Sequence, residues 1–320
     1  MTVACKFKKY GLIFIVAAGM GLLPGVSSAG FMDPGWGARG AGKGGAFIAS
    51  VDDVSAVMWN PAALSEVYMR EALLSYHKPY AGLDGVNLNM GFASFAYPVE
   101  GIGNFGASFT SFDGDGKYRE TTFQVSGARE FSELLNIEPM MLSAGVNLKY
   151  LLSRYYWDSE IKALGDPVTE KDGAGAFTAD IGVLFQPSYS IPVGITVKNI
   201  IPADVGLAGE DIVPLEFKAG AAYRLGTVRG VESLTPEIMV GYRDHEYDDG
   251  KVSWAVGVEG WVLDHTLGLR AGINDNEGAL GASFEKFIGD FILRIDYAVL
   301  ISSTLGDNLG SHRISTNLRF

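Results

Sequence analysis

The chain has 320 residues, a formal net charge of −12, 42 glycines and one cysteine. The acidic balance argues against a nucleic-acid partner and against binding to an anionic bilayer surface by charge alone. Because Cys5 lies near the start of the chain, the remainder can form no disulfide, no thiolate metal site and no cysteine nucleophile.

Residues 1–29 have the pattern of a secretory signal peptide. Three lysines precede an apolar run from Gly11 to Leu23, and small residues lead to Ala29. An uncleaved membrane anchor is the alternative, but the run is shorter than the roughly 20 residues with which a helix spans a bilayer. We therefore expect cleavage after Ala29 and a mature chain that begins at Gly30.

The stretch 37–64 is too rich in glycine for a strand and too apolar for a surface linker. It precedes a long series of predicted strands, so we interpret it as a plug. Asp52 or Asp53 is placed to cap a short helix over 54–59, and Asn60 to cap a second turn with Pro61 at its first position. Such capping satisfies backbone groups locally, which an enclosed segment requires.

From Arg70 onward the sequence consists of segments of about ten residues that alternate between apolar and polar positions, as transmembrane strands do. In the last segment, one face carries Ile314, Thr316, Leu318 and Phe320, whereas the other carries Arg313, Ser315, Asn317 and Arg319. One face of each strand suits lipid and the other does not. The predicted strands are 71–78, 85–97, 104–112, 119–131, 140–155, 175–186, 190–200, 214–225, 235–245, 251–262, 265–274, 278–287, 290–301 and 312–320.

These fourteen strands predict an all-β fold, a transmembrane antiparallel β-barrel. The connections after odd-numbered strands are mostly longer and hold most free acids, which suits external loops and a C-terminus in the periplasm. A soluble β-sandwich would also alternate, but its charged face would be outside. The inward-facing charges, which we expect to pair or to line water, are Glu216, Lys218, Arg224, Glu259, Arg270, Arg294 and Asp296.

No motif for catalysis, metal binding or cofactor binding is present. The four histidines lack ligand spacing, and there is no Gly-x-Ser-x-Gly turn. A barrel lipase without a motif remains an alternative to the non-enzyme that we expect. The glycine-rich stretch 37–45 follows no strand and lacks P-loop spacing, and the acidic loop 244–249 lacks the EF-hand pattern. We interpret that loop as a solvated external loop, bridged by divalent ions to lipopolysaccharide.

Two stretches resemble the FadL/TodX-like outer-membrane proteins and their shorter PorV/PorQ-type relatives, namely GARGAGKGGAFIASVDDVSAVMWNPAAL (37–64) and HRISTNLRF (312–320). The resemblance implies a fourteen-stranded barrel (residues 70–320) with a short N-terminal hatch (residues 30–69) in its lumen. The family's Asn-Pro-Ala element maps onto Asn60, Pro61 and Ala62. The Asp52-Asp53 pair before it also matches the family pattern, and Leu318 and Phe320 look like the signal read by the barrel-assembly machinery.

The resemblance also implies a function, which is passive uptake of long-chain fatty acids or aromatic hydrocarbons across the outer membrane of a Gram-negative bacterium. We expect Trp59, Asn60 and Pro61 to position the hatch. The partners would be outer-membrane lipid and lipopolysaccharide, the assembly machinery and a hydrophobic ligand.

Short external loops and an abbreviated hatch bring the chain closer to the PorV-like branch, whose barrels serve secretion and surface attachment of proteins. An interaction barrel of this kind is therefore the alternative function, and a structural barrel without cargo is a third. Uptake predicts an apolar patch in the lumen beside the hatch, together with a gap or an inward kink in the wall.

Overall fold

The computed structural model describes residues 30–31, 33–244, 250–303 and 309–320. The predicted signal peptide lies outside these residues. Fourteen strands form a closed antiparallel barrel in which every strand pairs with its neighbours in the chain and β1 pairs with β14. The predicted fold class is therefore confirmed.

The strands are β1 Glu71–Lys78, β2 Leu88–Val99, β3 Gly103–Gly114, β4 Tyr118–Glu130, β5 Met141–Tyr155, β6 Gly173–Ser188, β7 Ile191–Lys198, β8 Glu216–Ala222, β9 Ser233–Arg243, β10 Lys251–Val262, β11 Leu267–Asn274, β12 Glu277–Ile288, β13 Phe291–Ser302 and β14 Ser311–Arg319. The short helices are α1 Ala38–Gly42, α2 Ala56–Trp59, α3 Ser132–Leu135 and α4 Ser159–Lys162, with 3-10 turns at Pro61–Glu66 and Pro167–Glu170. No helix in the described part of the chain is long and apolar enough to cross a membrane.

The predicted strands agree with the observed ones to within three residues at each boundary. The largest difference in length is β8, which pairs only over Glu216–Ala222 although the alternation extends from Leu215 to Arg224. Beyond Ala222 the pairing is reduced to an isolated bridge between Leu225 and Leu234. Alternation reports which face a side chain occupies, whereas strand length also depends on hydrogen bonding to a neighbour.

The barrel is apolar outside and charged inside. Val256 and Leu280 face outward with 45% and 58% of their surface exposed, whereas Arg294 and Asp296 face inward at 1% and 0%. An apolar exterior is unfavourable in water. In a bilayer it is favoured, because a charged side chain is costly in the hydrocarbon region. The strands therefore cross a membrane.

We call the end of the barrel near Glu71 and Arg319 the terminal end, and the opposite end the loop end. Residues 33–67, here called the luminal segment, pass through the barrel between them. Asp33 bonds to Lys198, where β7 finishes at the loop end. The carbonyl oxygen of Val67 accepts a bond from Asn104 near the terminal end. Within 33–67, all of which the structure describes, only Asp52 is exposed, so the segment fills the lumen.

The outward apolar belt predicts a depth-dependent cost for a charge. Val256→Arg, at the middle of β10, should lower the free energy of unfolding in lipid vesicles by about 2–4 kcal/mol. The matched control is Ile102→Arg in the turn between β2 and β3, where the same charge near the interface should cost about 0–1 kcal/mol. Urea titration of vesicle-folded protein measures both values, and equal costs would contradict the membrane placement of β10.

Candidate functional site

Two local side-chain hydrogen bonds, which Asp53 and Asn60 accept, shape the luminal segment. Asp53 Oδ1 accepts the backbone N–H of Ser55 at 2.9 Å, and α2 begins at Ala56 rather than at the predicted residue 54. The side chain of Asn60 accepts the N–H of Ala62 at 3.1 Å, with Pro61 at the first position of the following 3-10 turn. The Asn60 cap is confirmed. The predicted cap at Asp52 or Asp53 is wrong, because Ser55 is the N-cap residue of α2 and no side chain caps that helix. The predicted helix was two residues too long because Asp53 forms a separate turn first.

The turn at Asn60 and Pro61 sits in a notch made by three glycines of the wall. Added Cβ atoms would lie 2.9 Å from Pro61 Cδ at Gly182 and 2.5 Å from the backbone nitrogen of Ala62 at Gly145. The third glycine, Gly194 on β7, meets the backbone of Ile48 in the same way. Carbon atoms in contact stand roughly 3.5–4.0 Å apart, so only glycine lets the backbone of the segment come this close.

A second notch lies on the opposite side of the lumen, around Lys43. A Cβ on Gly257 of β10 would lie 2.9 Å from Lys43 Cβ, and one on Gly272 of β11 would lie 2.5 Å from the backbone nitrogen of Gly44. On β12, Gly281 faces Gly42 with similar closeness. We call these two sites the β5–β7 notch and the β10–β12 notch.

Buried ion pairs join the luminal segment to the wall. Arg39 makes a bidentate contact with Glu259, at 2.9 Å from Nε and 2.7 Å from Nη2. Asp53 accepts bonds from Arg39 at 3.0 Å and from Arg294 at 2.6 Å. Burial by itself raises the pKa of the Asp53 carboxyl group, but Arg294 and Arg39 outweigh burial and hold that pKa below its usual range.

The network continues along the inner wall. Arg270 contacts Glu259 at 2.5 Å, and Arg294 contacts Asp296 at 3.1 Å. Each of these charges has a partner of opposite sign, which makes their burial tolerable.

Lys43 forms a separate buried pair. Its ammonium group lies 3.0 Å from Glu237 Oε2 and donates to Ser50 Oγ at 2.6 Å. The other carboxylate oxygen of Glu237 accepts the N–H of Ala49 at 2.7 Å. Neither charged side chain of the pair is exposed. The pair therefore holds the luminal segment against β9 and holds the Glu237 side chain in place.

At the loop end, Asp33 anchors the beginning of the luminal segment. Its carboxylate lies 2.5 Å from Lys198 and 3.3 Å from Lys218, which in turn lies 2.9 Å from Glu216. Burial alone would raise the pKa of Asp33, but the two ammonium groups outweigh it and hold that pKa well below its usual range. Asp33 is therefore a charged tether at neutral pH.

A cavity of about 60 Å³ lies above the segment at the loop end. Its apolar lining comes from Phe31, Trp36, Met58 and Phe112, and Arg243 is among its charged residues. Arg243 makes no ion pair with any residue that the structure describes. The other lining residues are Asp33, Thr110, Glu120, Thr122, Gln124, Lys149, Leu151, Asp180, Lys198, Asn199, Pro214 and Glu216.

Trp59, Asp52 and Arg224 occupy distinct places in this arrangement. Trp59 donates its indole N–H to the carbonyl oxygen of Trp36 at 2.8 Å and packs edge-on against Phe47. Asp52 pairs with Arg39 but leaves about half of its side chain exposed. Arg224 lies just beyond β8 and contacts Glu66 at 3.4 Å. Burial raises the pKa of Glu66, and Arg224 opposes that rise.

The last strand ends on the outer surface. Phe320 packs against the rings of Phe95 and Phe291, with centroids 6.4 and 6.2 Å away. Leu318 pairs in register with Ala72 and Leu293. Recognition of these residues by an assembly machinery stays a prediction.

Sequence reasoning missed Asp33, Arg39, Lys43 and Glu237 as members of the site. The alternation of β9 places Glu237 on the inner face, next to the outward-facing Ile238. The sequence could therefore have identified this residue. The other three lie in a segment without periodicity, and their partners in the wall are more than 160 positions away along the chain. Among the described residues, no group of three or more histidine, cysteine or acidic side chains is placed to hold a metal ion.

This geometry defines a transmembrane β-barrel whose lumen is occluded by its own N-terminal residues. No protein-family model matches the chain, and no curated protein matches it in sequence. Solved structures do match it.

The chain is similar in structure to a FadL homologue from Pseudomonas aeruginosa, with a TM-score of 0.53 and 14% identity over 91% of this chain and 98% of that one. The toluene transporter TodX of Pseudomonas putida gives a TM-score of 0.55 and 12% identity over 89% and 97%. The toluene transporter TbuX of Ralstonia pickettii gives 0.51 and 12% over 89% and 96%. The fold is that of the FadL/TodX-like barrels.

Neighbouring aspartates give a matched test of the ion network. Asp53→Asn leaves Arg39 and Arg294 without their shared carboxylate, and breaking a buried pair in this way should lower the free energy of unfolding by about 3–5 kcal/mol. Asp52→Asn removes a half-exposed partner of Arg39 and should cost less than about 1 kcal/mol. Urea unfolding in vesicles measures the difference, and similar costs would mean that the network does not hold the segment.

The β5–β7 notch predicts an unusual sensitivity to a single methyl group. Gly182→Ala forces the turn at Pro61 away from the wall and should destabilise the protein by about 1–3 kcal/mol, as overpacking does. Gly278→Ala on β12, where an added Cβ meets nothing within 4 Å, should change stability by no more than about 0.5 kcal/mol. Thermal unfolding in detergent compares the two variants, and an unaffected Gly182→Ala protein would refute the notch.

Proposed function

We propose that this protein is an outer-membrane channel for the passive uptake of hydrophobic small molecules, either long-chain fatty acids or aromatic hydrocarbons. The observation that carries the proposal is the cavity at the loop end, where apolar side chains of the luminal segment and the wall meet Arg243, which makes no ion pair with the residues that the structure describes. The barrel fold shared with the FadL homologue and the two toluene transporters supports the same function. Uptake of this kind needs no energy source beyond a concentration gradient.

The size of the cavity indicates a closed state. A void of about 60 Å³ has room for roughly two waters, at about 30 Å³ each, whereas an apolar cavity known to bind benzene measures about 150 Å³. Phe31 and Trp36 are among the side chains that line it. A ligand would therefore enter when these residues move aside in a minor open state.

The expected hatch residues have a definite part in this proposal. Asn60 and Pro61 hold the luminal segment in the β5–β7 notch. Trp59 bonds to the backbone of Trp36 beside the cavity. Asp33 tethers the start of the segment to Lys198 at the loop end. The loop end would face the outside of a Gram-negative cell, and the terminal end would face the periplasm. Under this assignment the cavity is the first binding site that an incoming ligand meets.

Uptake is tested in a Gram-negative host that lacks its own fatty-acid channel. Cells that express the protein should accumulate labelled oleate or toluene faster than cells with an empty vector. Asn60→Ala removes the cap and also the bonds to the carbonyl oxygens of Ile48 and Val183, so the segment should loosen and admit a hydrophilic antibiotic as well. If cells that express the unmodified protein took up oleate and toluene no faster than the vector control, the proposal would be refuted.

Arg243 distinguishes the two ligand classes. If a carboxylate meets this cation at the cavity, Arg243→Gln should lower oleate uptake about tenfold, the loss expected when a charged hydrogen bond of roughly 1.5 kcal/mol disappears. Toluene carries no charge, so its uptake should not change. Equal effects on both probes would exclude a role for Arg243 in recognising a carboxylate.

A further inference from the structure

A row of aromatic side chains crosses the outer surface of β3–β6. Its members are successive partners in the strand register, namely Phe109, Phe123, Tyr150 and Phe177. The ring centroids of Phe109 and Phe123 are 5.3 Å apart, and those of Tyr150 and Phe177 are 4.7 Å apart. Rows of this kind flank the apolar band of outer-membrane barrels. We call these four residues the aromatic row.

The outward residues of β5 show where the apolar band ends. Between Leu142 and Leu152 every outward position is apolar or aromatic. Ten residues at a rise of about 3.4 Å, tilted by about 45°, cover roughly 24 Å, which matches the height of about 25 Å for such a band. The next outward residue is Arg154, which is exposed. Arg154 therefore lies at the level of the lipid headgroups at the loop end.

Two arginines stand directly opposite each other at this level. Arg119 of β4 is the register partner of Arg154, and Asp113 of β3 is the register partner of Arg119. Arg119 forms an ion pair with Asp113 at 3.0 Å. The guanidinium group of Arg154 makes no hydrogen bond or ion pair with any residue that the structure describes. Like charges directly opposite each other are unfavourable in a sheet, so an anion beside Arg154 would relieve this pair.

A recess opens beside Arg154 because β6 has glycines at its outward positions there. Gly173 is opposite Arg154 and Gly175 is opposite Leu152. An added Cβ at Gly175 would lie 2.5 Å from the Tyr150 hydroxyl group, so the aromatic row borders the recess from below. We call this space the outer recess. It has a volume of about 600 Å³ and is lined by Leu152, Ser153, Arg154, Tyr155, Tyr156, Trp157, Lys162, Asp172, Gly173, Ala174 and Gly175.

The connection between β5 and β6 brings a second cation to the outer recess. Lys162 of α4 pairs with Asp172 at 2.8 Å. Trp157 donates its indole N–H to the carbonyl oxygen of Lys171 at 3.0 Å, and these two contacts tie residues 156–172 together.

The charges around the outer recess leave a positive balance. The cations are Arg119, Arg154 and Lys162, and the carboxylates are Asp113 and Asp172. Three cations against two carboxylates give one net positive charge, although the whole chain carries −12. The outer recess is therefore suited to an anion.

The surroundings of the outer recess indicate which anion. A guanidinium group binds phosphate through two parallel hydrogen bonds. Directly below, the aromatic row and Leu148, which is 57% exposed, offer an apolar surface to acyl chains. A water-soluble phosphate compound would leave that surface unused. A lipid with a phosphorylated headgroup matches both parts.

We propose that the outer recess binds a phosphate group of lipopolysaccharide in the outer leaflet. Arg154 is the main ligand, and Arg119 and Lys162 assist it. The acyl chains lie along the aromatic row. The proposal rests on the placement of the loop end outside the cell, which the proposed function includes, but it does not require that the barrel transports anything.

Binding is tested with the purified protein in detergent and lipid A that carries both phosphates. Native mass spectrometry measures the bound fraction during a titration. Arg154→Gln should weaken binding about tenfold, since a charged hydrogen bond of roughly 1.5 kcal/mol is lost. Because Arg154 is exposed and without a partner among the described residues, the variant should fold normally. Unchanged affinity would overturn the proposal.

The matched control is Arg129→Gln. Arg129 also faces outward and is exposed, but it lies near the terminal end of β4, opposite Ala144 rather than a second arginine. This variant should bind lipid A within about twofold of the unmodified protein. Equal losses in the two variants would mean that lipid A is attracted by charge alone, without a site.

Two further probes identify the ligand. Lipid A without phosphates should bind at least tenfold more weakly, and phosphatidylglycerol should bind weakly and without dependence on Arg154. If phosphatidylglycerol bound as tightly and with the same dependence, the assignment to lipopolysaccharide would be overturned. Binding should persist in EDTA. Its loss there would mean that divalent ions on Asp113 and Asp172 hold the lipid instead of Arg154.

Thermal unfolding gives an independent readout. In detergent alone, Arg154→Gln should unfold at the same temperature as the unmodified protein or higher, because the opposed arginines are separated. Added lipid A should raise the unfolding temperature of the unmodified protein and of Arg129→Gln, since a ligand stabilises the state that binds it. An equal rise for Arg154→Gln would contradict the site. A protein that bound lipid A but took up neither oleate nor toluene would refute the proposed channel and leave this site intact.

Discussion

A charge that cannot face lipid must find a partner inside the barrel, and the architecture of this protein follows from that constraint. The outer belt is apolar, so the inward positions of β1 and of β4–β14 collect the arginines, lysines and acids. The luminal segment supplies the missing partners in Arg39, Lys43 and Asp53. Without the segment, Glu259 would lose its ion pair with Arg39 and Glu237 would lose its ion pair with Lys43. The wall and the segment therefore stabilise each other.

Steric fit works together with charge. Glycines on six strands, β5–β7 and β10–β12, allow the backbone of the segment to approach the wall more closely than any side chain would permit. Their cost in chain entropy is offset by the packing and the capped turns of the segment, such as the one that Asn60 forms. The two notches and the ion pairs together hold the segment in the lumen.

The anchors are unevenly distributed around the lumen. Charged side chains of the segment pair with β7–β10 and β13. On β2 and β3 the contacts come from apolar side chains and from Asn104, which donates to the carbonyl oxygens of Leu64 and Val67.

The sequence by itself determined the fourteen strands, the face that each side chain occupies and the cap at Asn60. These properties depend on a period of two residues or on contacts within a single turn, and both can be read locally. It also placed Arg270, Arg294 and Asp296 inside, although their partners could not be named. Only the tertiary structure decided that Arg39 meets Glu259, that Pro61 rests on Gly145 and Gly182, and that Lys43 meets Glu237. These contacts join residues far apart in the chain, and they arise only when closure of the barrel brings strands from both halves around one segment.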